Sequence, residues 1–120
     1  MKKFTWQRAE KILKERRLLR SRRRRFTMFP YDERTGNWRP EGLAYTMMTW
    51  HIGFVPCFLG RFPIMVEYRV GVPEFKISYW LPELSKDNKI RTLNPTEIAV
   101  TTEKEFIDGL ERAYKEIACV

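Results

Sequence analysis

FPIMVEYRVGVPEFKISYWL, residues 62–81, reads as two strands folded back on each other. Set antiparallel, it places Tyr68 opposite Phe75, Val66 opposite Ile77, Ile64 opposite Tyr79 and Phe62 opposite Leu81 on one face. The other face then matches Arg69 with Glu74 and Glu67 with Lys76. Apolar pairs and opposite charges agree on one register, and such cross-strand pairs are what stabilise a sheet. Gly71-Val72 is left as a two-residue loop with glycine first, as a type II′ turn requires. Pro73 has no N–H to give to the ladder, so the turn end is expected to be looser than the rest.

Towards the C-terminus, Leu84 to Lys89 is a polar connection, and Ile90–Leu93 and Thr96–Thr101 read as short strands split by Asn94-Pro95, with Ile98 and Val100 on a common face. Thr102-Glu-Lys-Glu105 is a capping-box pattern, in which the threonine hydroxyl accepts from the third helical N–H. It opens a helix from Glu103 to about Ala118, with Phe106, Ile107, Leu110, Ala113, Tyr114 and Ile117 on one narrow face. Gly109 flanks that face at a cost of roughly 1 kcal/mol against alanine, which predicts a close approach of helix to sheet.

Towards the N-terminus, Leu43 to Phe54 is a long apolar strand with bulk on both faces, which predicts a central place in the sheet. Trp50, on its Ala44–Phe54 face, is expected in the core. Phe26–Tyr31 is aromatic and β-prone, Asp32–Asn37 is a polar turn, and Trp38 begins a return strand that Arg39-Pro40-Glu41-Gly42 interrupts. Before these strands lies Trp6–Arg25, read as an amphipathic helix. Trp6, Ala9, Ile12, Leu13 and Leu19 fall in one sector of its wheel. Arg16 and Arg20 share that sector, so the stripe fades, and from Arg22 onward arginine points in every direction.

Helices at the ends leave no β-α-β crossover. The prediction is a single α+β domain: a largely antiparallel sheet of about five strands, an N-terminal basic helix and a C-terminal amphipathic helix. Residues 1–25 form the basic helix, packed by its first half or projecting as an arm, and residues 26–120 form the body. A ferredoxin-like RNA-recognition fold would need an internal helix that residues 26–81 do not offer. At 120 residues and 43% hydrophobic, the chain suits one core. No apolar run approaches the roughly 20 residues needed to cross a bilayer, and Lys2 and Lys3 lead into a charged segment, so a cytoplasmic, non-membrane protein is expected. Cys57 and Cys119 fit free thiols in a reducing compartment.

Charge is unevenly placed. Residues 1–25 hold twelve Lys or Arg against Glu10 and Glu15, a net of +10, whereas the whole chain carries +8. Such asymmetry points to an anionic partner at the basic end. Arginine donates in pairs to phosphate oxygens and stays charged at any working pH. A run of arginines therefore follows a phosphate backbone without reading bases. The candidate contacts are Arg16, Arg17, Arg20, Arg22, Arg23, Arg24 and Arg25. Trp80, Arg69 and Lys76, on the more polar face of the hairpin, are candidates for base stacking or partner contact.

Catalytic signals are missing. His51 is the only histidine, and no CxxC, HxxxH or carboxylate cluster accompanies it or Cys57. Ser21, Ser78 and Ser85 lie in no elbow or triad pattern, and the glycines form no phosphate loop. No cofactor is expected. The leading expectation is a non-enzymatic protein associated with RNA or DNA. A second is an adaptor or inhibitor, such as one encoded by a phage or mobile element, that engages an acidic protein or a nucleoprotein machine through the basic helix and a sheet face. A small enzyme with an unmarked carboxylate pair is a third, because such pairs leave no sequence signature.

Overall fold

A computed structural model of the chain describes residues 3–28, 31–32, 37–38 and 44–120. Helix α1 (Trp6–Glu15) starts at Thr5, whose hydroxyl accepts from the Arg8 N–H at 3.2 Å. Strands follow at β1 (Arg24–Met28), β2 (Tyr31–Asp32), β3 (Asn37–Trp38), β4 (Tyr45–Cys57), β5 (Gly60–Arg69), β6 (Phe75–Tyr79), β7 (Pro82–Leu84), β8 (Ile90–Thr92) and β9 (Thr96–Val100), and helix α2 (Glu103–Ala118) closes the chain. The main sheet is antiparallel with strand order β1-β4-β5-β6-β9. Short pairs β2–β3 and β7–β8 stand apart from it. The α+β architecture with a helix at each end is the one expected.

The hairpin register is also as expected: Tyr68 pairs with Phe75, Val66 with Ile77, Ile64 with Tyr79 and Glu67 with Lys76. Its ends differ. Phe62 pairs with Val55 on β4, and Leu81 lies beyond the end of β6. The Val72 N–H donates to the Arg69 carbonyl at 3.1 Å, so the turn is centred on Val70-Gly71, with Gly71 at φ +94° in its second position. That is the type II position for glycine, not the type II′ position. With no N–H at Pro73 and Glu74 bonded to the Val72 carbonyl, Arg69 and Glu74 drop out of the ladder.

Strand β1 runs alongside β4, pairing Arg24 with Thr49 and Met28 with Tyr45. Of the expected return strand, the described residues include β3, which pairs with β2; Arg39-Pro40-Glu41-Gly42 lies outside the described residues. The expected turn at Asp32–Asn37 lies largely outside the described residues. Between Ile52 and Val55 strand β4 carries a bulge, with Gly53 and Phe54 facing only Pro63. A proline opposite a bulge loses little, because the ladder is already interrupted there.

One face of the sheet carries the core. Trp50, Val66, Ile77, Tyr79 and Phe75 are almost wholly buried beneath Leu13 and Ala9 of α1 and Phe106, Ala113 and Ile117 of α2. The helices run parallel, tied by Arg8 to Glu103 near their starts and by Arg16 to Glu111 at 3.8 Å further along. A Cβ added at Gly109 would come within 2.8 Å of Ile77 Cδ1, which is the close approach the sequence called for. At the α2 start, the Glu105 N–H donates to Thr102 Oγ1 at 3.1 Å. The hydroxyls of Thr101 and Thr102 donate back to the Glu105 carboxylate and hold its pKa below the ordinary value. Burial and a hydrogen bond to Glu116 push the Tyr79 hydroxyl up to about 12, fastening β6 to α2. Tyr114, expected in the core stripe, is instead half exposed. Among the described residues, no helix is long and apolar enough to cross a membrane.

Candidate nucleic-acid interface

The helix read over Trp6–Arg25 ends at Glu15. Arg16 caps it, and Arg17 turns left-handed at φ 55°. The Arg17 N–H reaches the Lys14 carbonyl at 3.0 Å and the Leu18 N–H the Leu13 carbonyl at 2.9 Å. This paired bonding is the Schellman stop. Continued as a helix, the segment would have turned Arg16 and Arg20 towards the core. The stop lets Leu18 and Leu19 pack instead, and Leu19 bridges to Ile52 on β4. Leu18 to Arg20 then follow the edge of β4, with the Arg20 N–H donating to the His51 carbonyl and the Gly53 N–H to the Leu18 carbonyl, each at 2.9 Å. The arginine block therefore leaves the helix, bends at Arg20-Ser21 beside one rim of the sheet and enters β1, an edge strand.

Seven arginines of this segment separate into two groups. Arg16 is shared with Glu111, and Arg23 is held by Glu10 while its guanidinium lies 4.5 Å from the Trp6 ring. Burial pushes the Glu10 carboxyl up, but hydrogen bonds from Lys14, Arg23 and Trp50 outweigh it, and the pKa is lower than ordinary. Glu10 is thus a latch joining α1, the rim and the core. Arg17, Arg20, Arg22, Arg24 and Arg25 are exposed and form no ion pair among the described residues; Arg20 rests 4.1 Å above the Phe54 ring. Charge on an edge strand also discourages pairing with another chain, which gives Arg24 and Arg25 a structural use of their own.

Alternation along β1 sends Arg25 to the helix-covered side and Arg24 to the other. Among the described residues, no helix lies on that second side. Arg24, Phe26, Met28, Tyr45, Met47 and Met65 border a shallow cleft of about 410 Å³ there. The long strand β4 lies between β1 and β5, an interior place as expected; its Tyr45–His51 side lies on this open face, and only Thr49 on it is sunk among its larger neighbours. Arg69 and Lys76 share the open face and line an adjoining cleft. Arg69 stacks 3.9 Å from the Tyr45 ring, and Lys76 faces Glu97 at 3.5 Å. Trp80 is half-buried beyond the end of β6 and does not line either cleft. The sequence reading missed Phe26, Tyr45, Met47 and Met65 as surface residues. Their only signal was alternation, which bulk on both faces concealed.

Among the described residues, no three His, Cys, Asp or Glu side chains gather closely enough to hold a metal ion. Comparison with protein-family models, with curated proteins and with solved structures gave no match for this chain.

Proposed function

We propose that this chain is a non-enzymatic, nucleic-acid-associated protein that contacts the phosphate backbone through the arginine rim. The reading is supported by one observation above all: Arg20, Arg22, Arg24 and Arg25 lie in sequence along one exposed edge with no carboxylate partner among the described residues. Cations placed this way gain most from a polyanion, and counterion release is the driving force. Arg16 and Arg23 are already engaged and serve chiefly to fix the segment in place.

The test is a titration of labelled single-stranded RNA and duplex DNA with the intact chain and with a variant carrying Gln at positions 20, 22, 24 and 25. Binding by the intact chain that the variant loses supports the proposal. Equal binding by both would overturn it. A second reading, an adaptor or inhibitor docking on a protein or nucleoprotein, is favoured by the open face, where Phe26, Met47 and Met65 offer an adaptable apolar surface. Binding to a protein target that survives the rim substitutions and is lost on Met47→Glu would select it.

A further inference from the structure

An apolar recess lies on the helix side of the sheet, where α1 ends. It measures about 580 Å³, within the range of small-molecule sites. Its floor is aliphatic: Leu18, Ile52, Val55, Ile64 and Leu110. The β4 bulge opens it, because Gly53 in the wall brings no side chain, and a Cβ there would meet nothing nearer than the Leu18 carbonyl oxygen at 3.9 Å. Tyr114, the helix residue that departs from its expected burial, stands at the side of this recess.

The mouth is cationic. Arg16 and Arg17 border it, and Glu111 answers only Arg16. Two guanidinium groups against one carboxylate leave one positive charge over an apolar floor. Arg17 carries a second signal: it occupies the left-handed position of a Schellman stop, where glycine is the usual residue and any side chain is strained. An arginine there carries a conformational cost that glycine would avoid, and its guanidinium borders the recess.

We infer that this recess binds a single-chain amphiphile with a carboxylate head, the head held by Arg17 and the free donors of Arg16 and the tail lying on Leu18, Ile52, Val55 and Leu110. A monoanion fits better than a phosphate dianion, because Glu111 at the same mouth repels the second charge. The inference stands apart from the nucleic-acid reading, which rests on Arg20 to Arg25.

The probe is laurate below its micellar concentration, titrated into the intact chain by calorimetry and followed by amide shifts. Saturable one-to-one binding with shifts centred on Gly53, Leu110 and Tyr114 is expected. Arg17→Gly should weaken binding at least five-fold while raising the thermal unfolding midpoint, so lost binding cannot be ascribed to a damaged fold. Tyr114→Glu, at a half-exposed position, should abolish it, and dodecanol should bind at least five-fold more weakly than laurate. No saturable laurate binding by the intact chain, or unchanged affinity in Arg17→Gly, would overturn the inference.

Discussion

Residues 4–15 and 16–25 are both rich in cations, yet the fold treats them in opposite ways. In the first part, Arg8 meets Glu103, Lys11 meets Glu15 at 3.9 Å and Lys14 meets Glu10 at 3.1 Å, while Ala9, Ile12 and Leu13 face the core. In the second part, among the described residues, only Leu18 and Leu19 pack and only Arg16 and Arg23 find carboxylates, while the remaining arginines line an exposed rim. The first part is anchored by apolar burial; the second is held in place by backbone bonds to β4 and by the Glu10 latch. Charge density alone does not mark an interface. On the proposed reading, what marks it is charge that the fold positions and that meets no carboxylate among the described residues.

The comparison can be broken at several points. Leu13→Ala removes a wholly buried side chain from the anchored part, and a loss of about 2–5 kcal/mol is expected in denaturant unfolding. A loss under 1 kcal/mol would mean that α1 is not part of the core.

Glu10→Gln cuts the latch between the parts. Its carboxylate is only 12% exposed, and hydrogen bonds to charged groups of this kind contribute roughly 1.5–3 kcal/mol, so a loss of about 2 kcal/mol is expected. The sign with pH follows from its lowered pKa. The contribution is complete above the unfolded-state value near 4.5 and fades as pH falls through the lower folded-state value. Stability of the intact chain relative to Glu10→Gln, measured from pH 7 to 2, should therefore converge at the acid end.

Arg17→Gly relieves left-handed strain where the parts meet and should stabilise the fold by about 1 kcal/mol, read as a higher unfolding midpoint. The smallest change is expected for Arg22→Gln, an exposed rim residue with no partner among the described residues. Its effect on stability should stay within about 0.5 kcal/mol. A larger loss would mean that the rim is structural.

The parts of the fold that were legible in the sequence are those where several local signals coincide. The β5–β6 register rests on apolar pairs, charge pairs and a glycine together, and the start of α2 rests on Thr102 with Glu105. The end of α1 was illegible. Arginine is a good helix former, so propensity carried the helix onward. What stopped it was the burial of Leu18 and Leu19 against β4, a contact with residues more than thirty positions away. The site was legible in composition, since the seven arginines are plain in the sequence. Their sorting was not, because Glu111 and Trp6 become partners only in the folded chain. The residues of the open face were hidden for a related reason: bulk on both sides of β4 gave its interior place but not which side the helices cover, and both described helices pack on the Trp50 side.

The central claim is that position, and not total charge, makes the rim an interface. It is tested most directly by the salt dependence of nucleic-acid binding in two variants that remove equal charge. One replaces Arg22, Arg24 and Arg25 with Gln, and the other replaces Arg8, Lys11 and Lys14 with Gln; each takes three positive charges from a chain of net +8. Each lost phosphate contact lowers the slope of log K against log salt by roughly 0.7–0.9, so the rim variant should lose about 2 or more while the anchored variant keeps the slope of the intact chain. Equal losses in the two variants would contradict the account.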